Sequence, residues 1–161
     1  MDKRILKIEE ALNYIKDRGA FLTSGDMKKA NTMTISWADM GYMCRKNIVI
    51  IVISDIRYTK EFIDKNNTFT ISIPFDESMK EALDICGHNS GRDVNKTEKA
   101  NINYKISQTV ESPIIDGCDI YYECRVVLKQ KTDLNEVNSE LKLSDEEKYH
   151  TIYYGEILAQ H

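Results

Sequence analysis

Three short stretches of this chain carry the residue types that do chemistry. The first is Asn31-Thr32-Met33-Thr34-Ile35-Ser36-Trp37, where hydroxyl and apolar side chains alternate before an indole. The second is Arg57-Tyr58-Thr59, just beyond the β-branched run from Ile48 to Ile53. The third, Cys86-Gly87-His88-Asn89-Ser90-Gly91-Arg92-Asp93 with Lys96 after it, offers a hydroxyl, a glycine and two cations close together. Hydroxyls, free backbone amides and guanidinium groups are what a phosphate and a polar ring system need. Each stretch also has a plainer reading. Thr59 is a plausible helix N-cap beside a surface arginine, Ser90-Gly91-Arg92 an ordinary polar turn, and Trp37 the core anchor of a sheet.

The elements that must position these groups follow from periodicity. Ile5, Ile8, Leu12 and Ile15 recur at helical spacing and predict an amphipathic helix over 4–18, stopped at Gly19. A first strand is expected over 20–24, then a turn at Gly25-Asp26. From Ala30 the chain alternates, with Met33, Ile35 and Trp37 on one face and Thr32, Thr34 and Ser36 on the other. The run Ile48–Ile53 reads as a strand covered on both faces. Helices are expected over 59–65, with Phe62 and Ile63 inward, and over 77–86, stopped at Gly87. Strands are expected over 68–73, ended by Pro74, over 119–131 and over 149–159. Residues 88–105 are polar and carry no clear period. Residues 133–148 are acidic and read as a surface excursion with some helix. Many short strands without β-α-β alternation favour an antiparallel barrel or sandwich.

Composition narrows the field. The chain has 161 residues, 42% hydrophobic, which suits one domain with a real core, so 1–161 is taken as a single domain. A formal net charge of −4 argues against a sequence-independent nucleic-acid binder. No apolar run is long enough to cross a bilayer and the N-terminus has no signal-like core, so a soluble cytoplasmic protein is expected. Cys44, Cys86, Cys118 and Cys124 form no Cys-x-x-Cys pair, and His88, His150 and His161 are scattered. Buried or half-buried free thiols and no metal site are expected. No Gly-x-Gly-x-x-Gly is present, which excludes a Rossmann dinucleotide site.

The order and spacing of the three stretches resemble the flavin reductase-like family, the flavoredoxin-type FMN-binding proteins. In that family Asn-x-Met-Thr-x-Ser-Trp is followed by an apolar strand and Arg-x-Thr, then by Ser-Gly-Arg-Asp-x-x-Lys. The likeness extends through Phe69–Pro74 and Tyr153-Tyr154-Gly155-Glu156-Ile157. It implies a mainly β fold with flanking helices, an antiparallel FMN-binding split β-barrel, and a homodimer with FMN near its interface. It further implies that Arg57, Thr59, Ser90, Arg92 and Lys96 meet the phosphate and ribityl chain. Met33, Thr34, Ile35, Ser36 and Trp37 would border the ring, with Asn31, Tyr58 and Gly91 completing the cofactor site.

One departure bears on the reaction. Many NAD(P)H-using members carry Gly-Asp-His before the last strand, where this chain reads Lys148-Tyr149-His150. His150 is thereby the candidate catalytic residue, while slow use of nicotinamide donors is expected. Read without the family, His150 caps or packs against a strand. The expected function is an FMN-dependent redox protein, either a reductase drawing on NAD(P)H or an electron carrier served by a protein donor. A non-catalytic flavin-binding or sensing module stands as the alternative.

Overall fold

The computed structural model describes residues 3–133, 136–138 and 140–161. Four α-helices and nine strands run α1 (Lys3–Arg18), β1 (Ala20–Gly25), β2 (Ala30–Ile35), β3 (Ala38–Met43), β4 (Lys46–Ser54), α2 (Tyr58–Asn66), β5 (Thr68–Ile73), α3 (Lys80–His88), α4 (Lys96–Lys99), β6 (Tyr104–Lys105), β7 (Ile114–Ile115), β8 (Ile120–Asp133) and β9 (Tyr149–Gln160) among the described residues. Seven strands form one antiparallel sheet in the order β2-β1-β5-β8-β9-β4-β3, and β6 pairs with β7.

That order makes the sheet a barrel. β2 and β3 are its two outer strands, yet only Ser36 and Trp37 separate them in the chain. Three residue steps span at most about 11 Å, so the two edges must approach one another at this corner. The Val52 amide donates to the Trp37 carbonyl at 3.0 Å and ties the corner to β4. The site lies beside this corner, along β2 and the end of β4. The mainly antiparallel fold expected from the sequence is the one observed.

The barrel interior holds Leu22, Met33, Ile35, Val49, Ile51, Ile53, Phe69, Ile71, Tyr122 and Tyr153, and the Ala11 and Ile15 face of α1 packs into the same cluster. α1 ends where expected: Gly19 takes a φ of 84° and its amide returns to the Ile15 carbonyl at 2.9 Å. Ile5, counted in the helical pattern, lies outside the residues whose side chains are described. A second cluster joins Phe21 on the opposite face of β1 to Ala82, Leu83 and Cys86 of α3 and to Ile102 and Ile115. β1 is thus buried along its whole length.

Several expectations are corrected. β3 had no counterpart in the sequence pattern, because Asp39, Gly41 and Tyr42 leave it exposed at a sheet edge. It enters β4 through Cys44 and Arg45, both at positive φ, a hairpin turn without the usual glycine. β4 is less covered than its composition suggests, since Ile50 and Val52 are half-buried. Glu77–Met79 is a 3₁₀ turn ahead of α3, and α3 runs through Gly87 to His88. The unassigned 88–105 stretch contains α4 and β6. Cys44 is exposed while Cys86 and Cys124 are buried, all as free thiols. Within the acidic excursion a 3₁₀ turn spans Glu146–Lys148, and residues 134, 135 and 139 lie outside the described residues. Among the described residues no helix is long and apolar enough to cross a membrane.

Candidate functional site

A cleft of about 650 Å³ opens between β2, the end of β4, the start of α2 and the loop after α3. Of the residues expected in the cofactor site, all but Gly91 line it, and His150 lines it too; Thr32, Cys86 and Gly87 of the three stretches do not. The barrel closure and the packing of α3 on β2 bring together stretches separated by more than a hundred residues in the chain.

The first turn of α2 faces the cleft. Its N-cap is Arg57, in extended backbone, and no side chain caps the helix. Thr59 therefore lies one residue inside the helix rather than at its N-cap, a correction to the sequence reading. Uncapped amides at a helix start favour an anion. Arg57 Nη1 donates to the Gly87 carbonyl at 3.2 Å, which swings the guanidinium over the opening without a carboxylate partner among the described residues. Thr59 is fully buried, and its Oγ1 accepts a 2.8 Å hydrogen bond from Asn31 Nδ2.

The loop Ser90–Asp93 forms the facing wall. Ser90 Oγ accepts from the Arg92 amide at 3.2 Å. Arg92 is held three ways: to the Ile56 carbonyl at 3.2 Å, to Glu61 at 2.8 Å, and over the Tyr58 ring at 4.7 Å from its centroid. Gly91 sits behind this wall, in a smaller adjoining hollow. A β-carbon there would overlap Asn31 Oδ1, so only glycine lets the loop approach β2 this closely.

Lys96 is buried, and its ammonium donates to the Thr32 carbonyl at 2.7 Å and the Cys86 carbonyl at 3.0 Å. Burial pulls its pKa down from the ordinary lysine value. It brings charge to the cleft floor, with two of its three hydrogens already spent on β2 and α3. The same burial raises the neighbouring Cys86 thiol to about 11.

The hydroxyl face of β2 turns away from the expected role. Thr32 Oγ1 bonds to Thr23 Oγ1 at 2.8 Å and to the Tyr104 hydroxyl at 2.9 Å, and Thr34 Oγ1 donates to the Leu83 carbonyl at 2.6 Å. These hydroxyls bind the sheet to the second layer. Met33 and Ile35 enter the barrel core as expected. Trp37 does not follow them. β2 ends at Ile35, and the indole lies 40% exposed at the cleft mouth.

There Trp37 stacks on His150, centroids 4.9 Å apart. His150 is buried, and its Nδ1 has no hydrogen-bond partner among the described residues. It therefore packs, as the residue-level reading expects, and still presents a polar atom beside the cleft. Tyr149 is half exposed and does not line the cleft, and Lys148 pairs with Asp145 at 3.0 Å.

Sequence reasoning missed Ser144 and Glu147, which reach the cleft from the acidic excursion. The Ser144 amide donates to Glu147 Oε2 at 2.7 Å and the Glu147 amide to Ser144 Oγ at 3.3 Å. These bonds hold the Glu147 carboxyl below its usual range. This is a capping box, and Ser144-Asp145-Glu146-Glu147 is its sequence signature. His88, Asn89 and Asp93 also reach the cleft.

Residues 15–161 match the model of the flavin reductase like domain. The chain belongs to the flavin reductase-like family. As a member of this family it is a flavin-linked redox protein. An uncharacterized protein of Archaeoglobus fulgidus is 28% identical over 152 residues, 94% of this chain and 76% of the relative. Among solved structures, the flavoredoxin of Methanosarcina acetivorans superposes with a TM-score of 0.69 at 23% identity, covering 89% of this chain and 67% of that one. An FMN-binding domain of a flavin reductase-like enzyme from Shewanella baltica gives 0.68 at 15% identity, covering 95% and 73%. At these identities the likeness speaks for the fold.

Proposed function

We propose that the flavin reductase-like chain holds FMN in this cleft and uses it to pass electrons between a donor and an acceptor. The observation that carries the reading is the meeting of the uncapped α2 N-terminus, Arg57 and the Ser90–Arg92 loop at one end of the cleft. This is an anion site beside an aromatic and polar chamber. A volume of about 650 Å³ lies within the range of about 300–1,000 Å³ usual for small-molecule sites. The orphaned His150 Nδ1 supplies a polar atom that a bound ring system would satisfy.

In this reading Arg57 and Arg92 neutralise a phosphate, while Ser90 and Thr59 offer hydroxyls to it and to a ribityl chain. Met33–Trp37 border the ring along the free edge of β2. Trp37 and His150 wall the mouth and restrict water. When bound, the flavin supplies the electron-accepting and electron-donating chemistry, which no side chain here provides. A similar solved structure is an FMN-binding domain, and a cleft with one clustered anion site suits a single phosphate.

The donor reading follows from the mouth. Hydride transfer needs a nicotinamide held at near contact with the flavin. The Trp37–His150 stack, with Ser144 and Glu147 beside it, occupies the rim where a donor would enter, and the Glu147 carboxylate repels a pyrophosphate. FMN-loaded protein mixed anaerobically with dithionite should bleach at once. NADH and NADPH should bleach it slowly, well below the roughly 1–10³ per second of working enzymes. Rapid bleaching by either nucleotide would make the protein a pyridine-nucleotide reductase instead.

The exposed edge strand β3 and the apolar groups near the mouth, Ile56 and Trp37 among them, favour a homodimer that covers them with FMN near its interface. Light scattering should give twice the 18.6 kDa of one chain, and a mass of one chain would refute the dimer.

A further inference from the structure

We infer that Asn31 is a positioning residue that makes the cleft selective for a phosphorylated ligand, acting through Thr59 and Gly91 rather than by being the anion's main partner. The inference rests on the flavin reading above and assigns the source of its phosphate preference.

Asn31 is buried on β2, and its amide touches both walls of the anion site at once. On one side Nδ2 donates to Thr59 Oγ1 at 2.8 Å. A hydroxyl that accepts at its oxygen has one hydrogen left to give. Among the described residues no group takes that hydrogen from Thr59, although the residue is fully buried and lines the cleft. The Asn31 bond thus fixes the hydroxyl as a donor toward the cleft. A free hydroxyl would turn to whichever neighbour suits it. A phosphate oxygen only accepts, so a fixed donor favours it over a neutral alcohol, which needs an acceptor for its own hydrogen.

On the other side Oδ1 rests against Gly91, in the space a β-carbon would need. The Ser90–Arg92 loop is therefore seated on the asparagine amide, which sets the spacing between the two walls together with the ties of Arg92 to Ile56, Glu61 and Tyr58. An aspartate there would take the Thr59 hydrogen for itself and add a negative charge. A leucine would keep the volume and leave the hydroxyl free to rotate.

The test compares dissociation constants for FMN and riboflavin in wild type, Asn31→Leu and Thr59→Val, with circular dichroism as the folding check. Wild type should prefer FMN. Both variants should shrink the ratio of riboflavin to FMN dissociation constants by roughly tenfold or more, the loss of one hydrogen bond to a charged group. Combining them should shrink it little further than Thr59→Val alone, since Asn31 orients the very hydroxyl that the valine removes. If Asn31→Leu fails to fold, Thr59→Val alone decides, because a ratio equal to wild type there removes the donor from the account. A folded Asn31→Leu with the wild-type ratio overturns the inference and leaves FMN binding standing. Wild type binding neither flavin overturns both.

Discussion

The indole of Trp37 lies on the imidazole of His150, ring centroids 4.9 Å apart and planes 22° from parallel. One residue comes from the corner where β2 passes to β3, the other from the start of β9, so the stack joins the barrel closure to the mouth of the cleft. Because Trp37 is the only tryptophan, indole emission reports this one site. His150→Ala removes a pair worth about 0.5–1.5 kcal/mol and exposes more of the indole. The emission maximum should move to longer wavelength. An unchanged maximum would mean that the stack is not held in solution.

Arg57 and Arg92 differ in how free they are. Arg92 is paired with Glu61, whereas Arg57 has only a carbonyl. Arg57→Ala should therefore weaken FMN by more than riboflavin, by roughly 1.5–3 kcal/mol in the difference. Glu61→Gln should act in the opposite direction, releasing Arg92 and strengthening FMN at low salt. Titration calorimetry of the two flavins measures both. Equal losses for FMN and riboflavin in Arg57→Ala would place the phosphate elsewhere.

Lys96 secures the cleft floor, since its ammonium joins β2 to the end of α3 through the Thr32 and Cys86 carbonyls. Lys96→Met keeps the stem and abandons two buried acceptors. The expected loss is on the order of 1–3 kcal/mol for each carbonyl left unsatisfied. Urea denaturation reads it as a lower midpoint at unchanged slope. A midpoint equal to wild type would show that water reaches these carbonyls.

The motifs were legible because they are local. Arg57-Tyr58-Thr59 and Ser90-Gly91-Arg92 each sit at an element boundary, and the boundary itself creates the open amides. The roles of individual side chains were less legible. Whether the Thr34 hydroxyl faces a ligand or the Leu83 carbonyl depends on α3 packing across β2, a contact 49 residues distant in sequence. Lys96 reads as a phosphate contact, and nothing local shows that the fold buries its ammonium against the Thr32 and Cys86 carbonyls. Trp37 continues the strand alternation on paper, but the chain must turn there to reach β3. β3 stayed hidden for the converse reason: an edge strand needs no apolar face.

Alkaline pH offers a fourth check. Burial raises the Cys86 thiol from its ordinary 9.0 to about 11. The unfolded chain loses this proton near pH 9 and the folded chain keeps it until near 11, so the unfolded state binds fewer protons in between. Stability present below pH 9 is therefore lost as pH rises from 9 through 11. Cys86→Ala should flatten the fall in melting temperature over that window. Lys96, whose pKa is lowered by burial, works in the opposite sense and moderates the slope. An equally steep fall in the variant would assign the effect to other groups.

FMN fluorescence, titrated with the folded protein while Trp37 emission is followed in the same cuvette, tests the placement of FMN in this cleft. Flavin emission should be quenched, saturating at one FMN per chain, and Trp37 emission should fall in parallel because the indole lines the same cleft. Flavin fluorescence unchanged at saturating protein, or quenched while Trp37 emission stays constant, would contradict it.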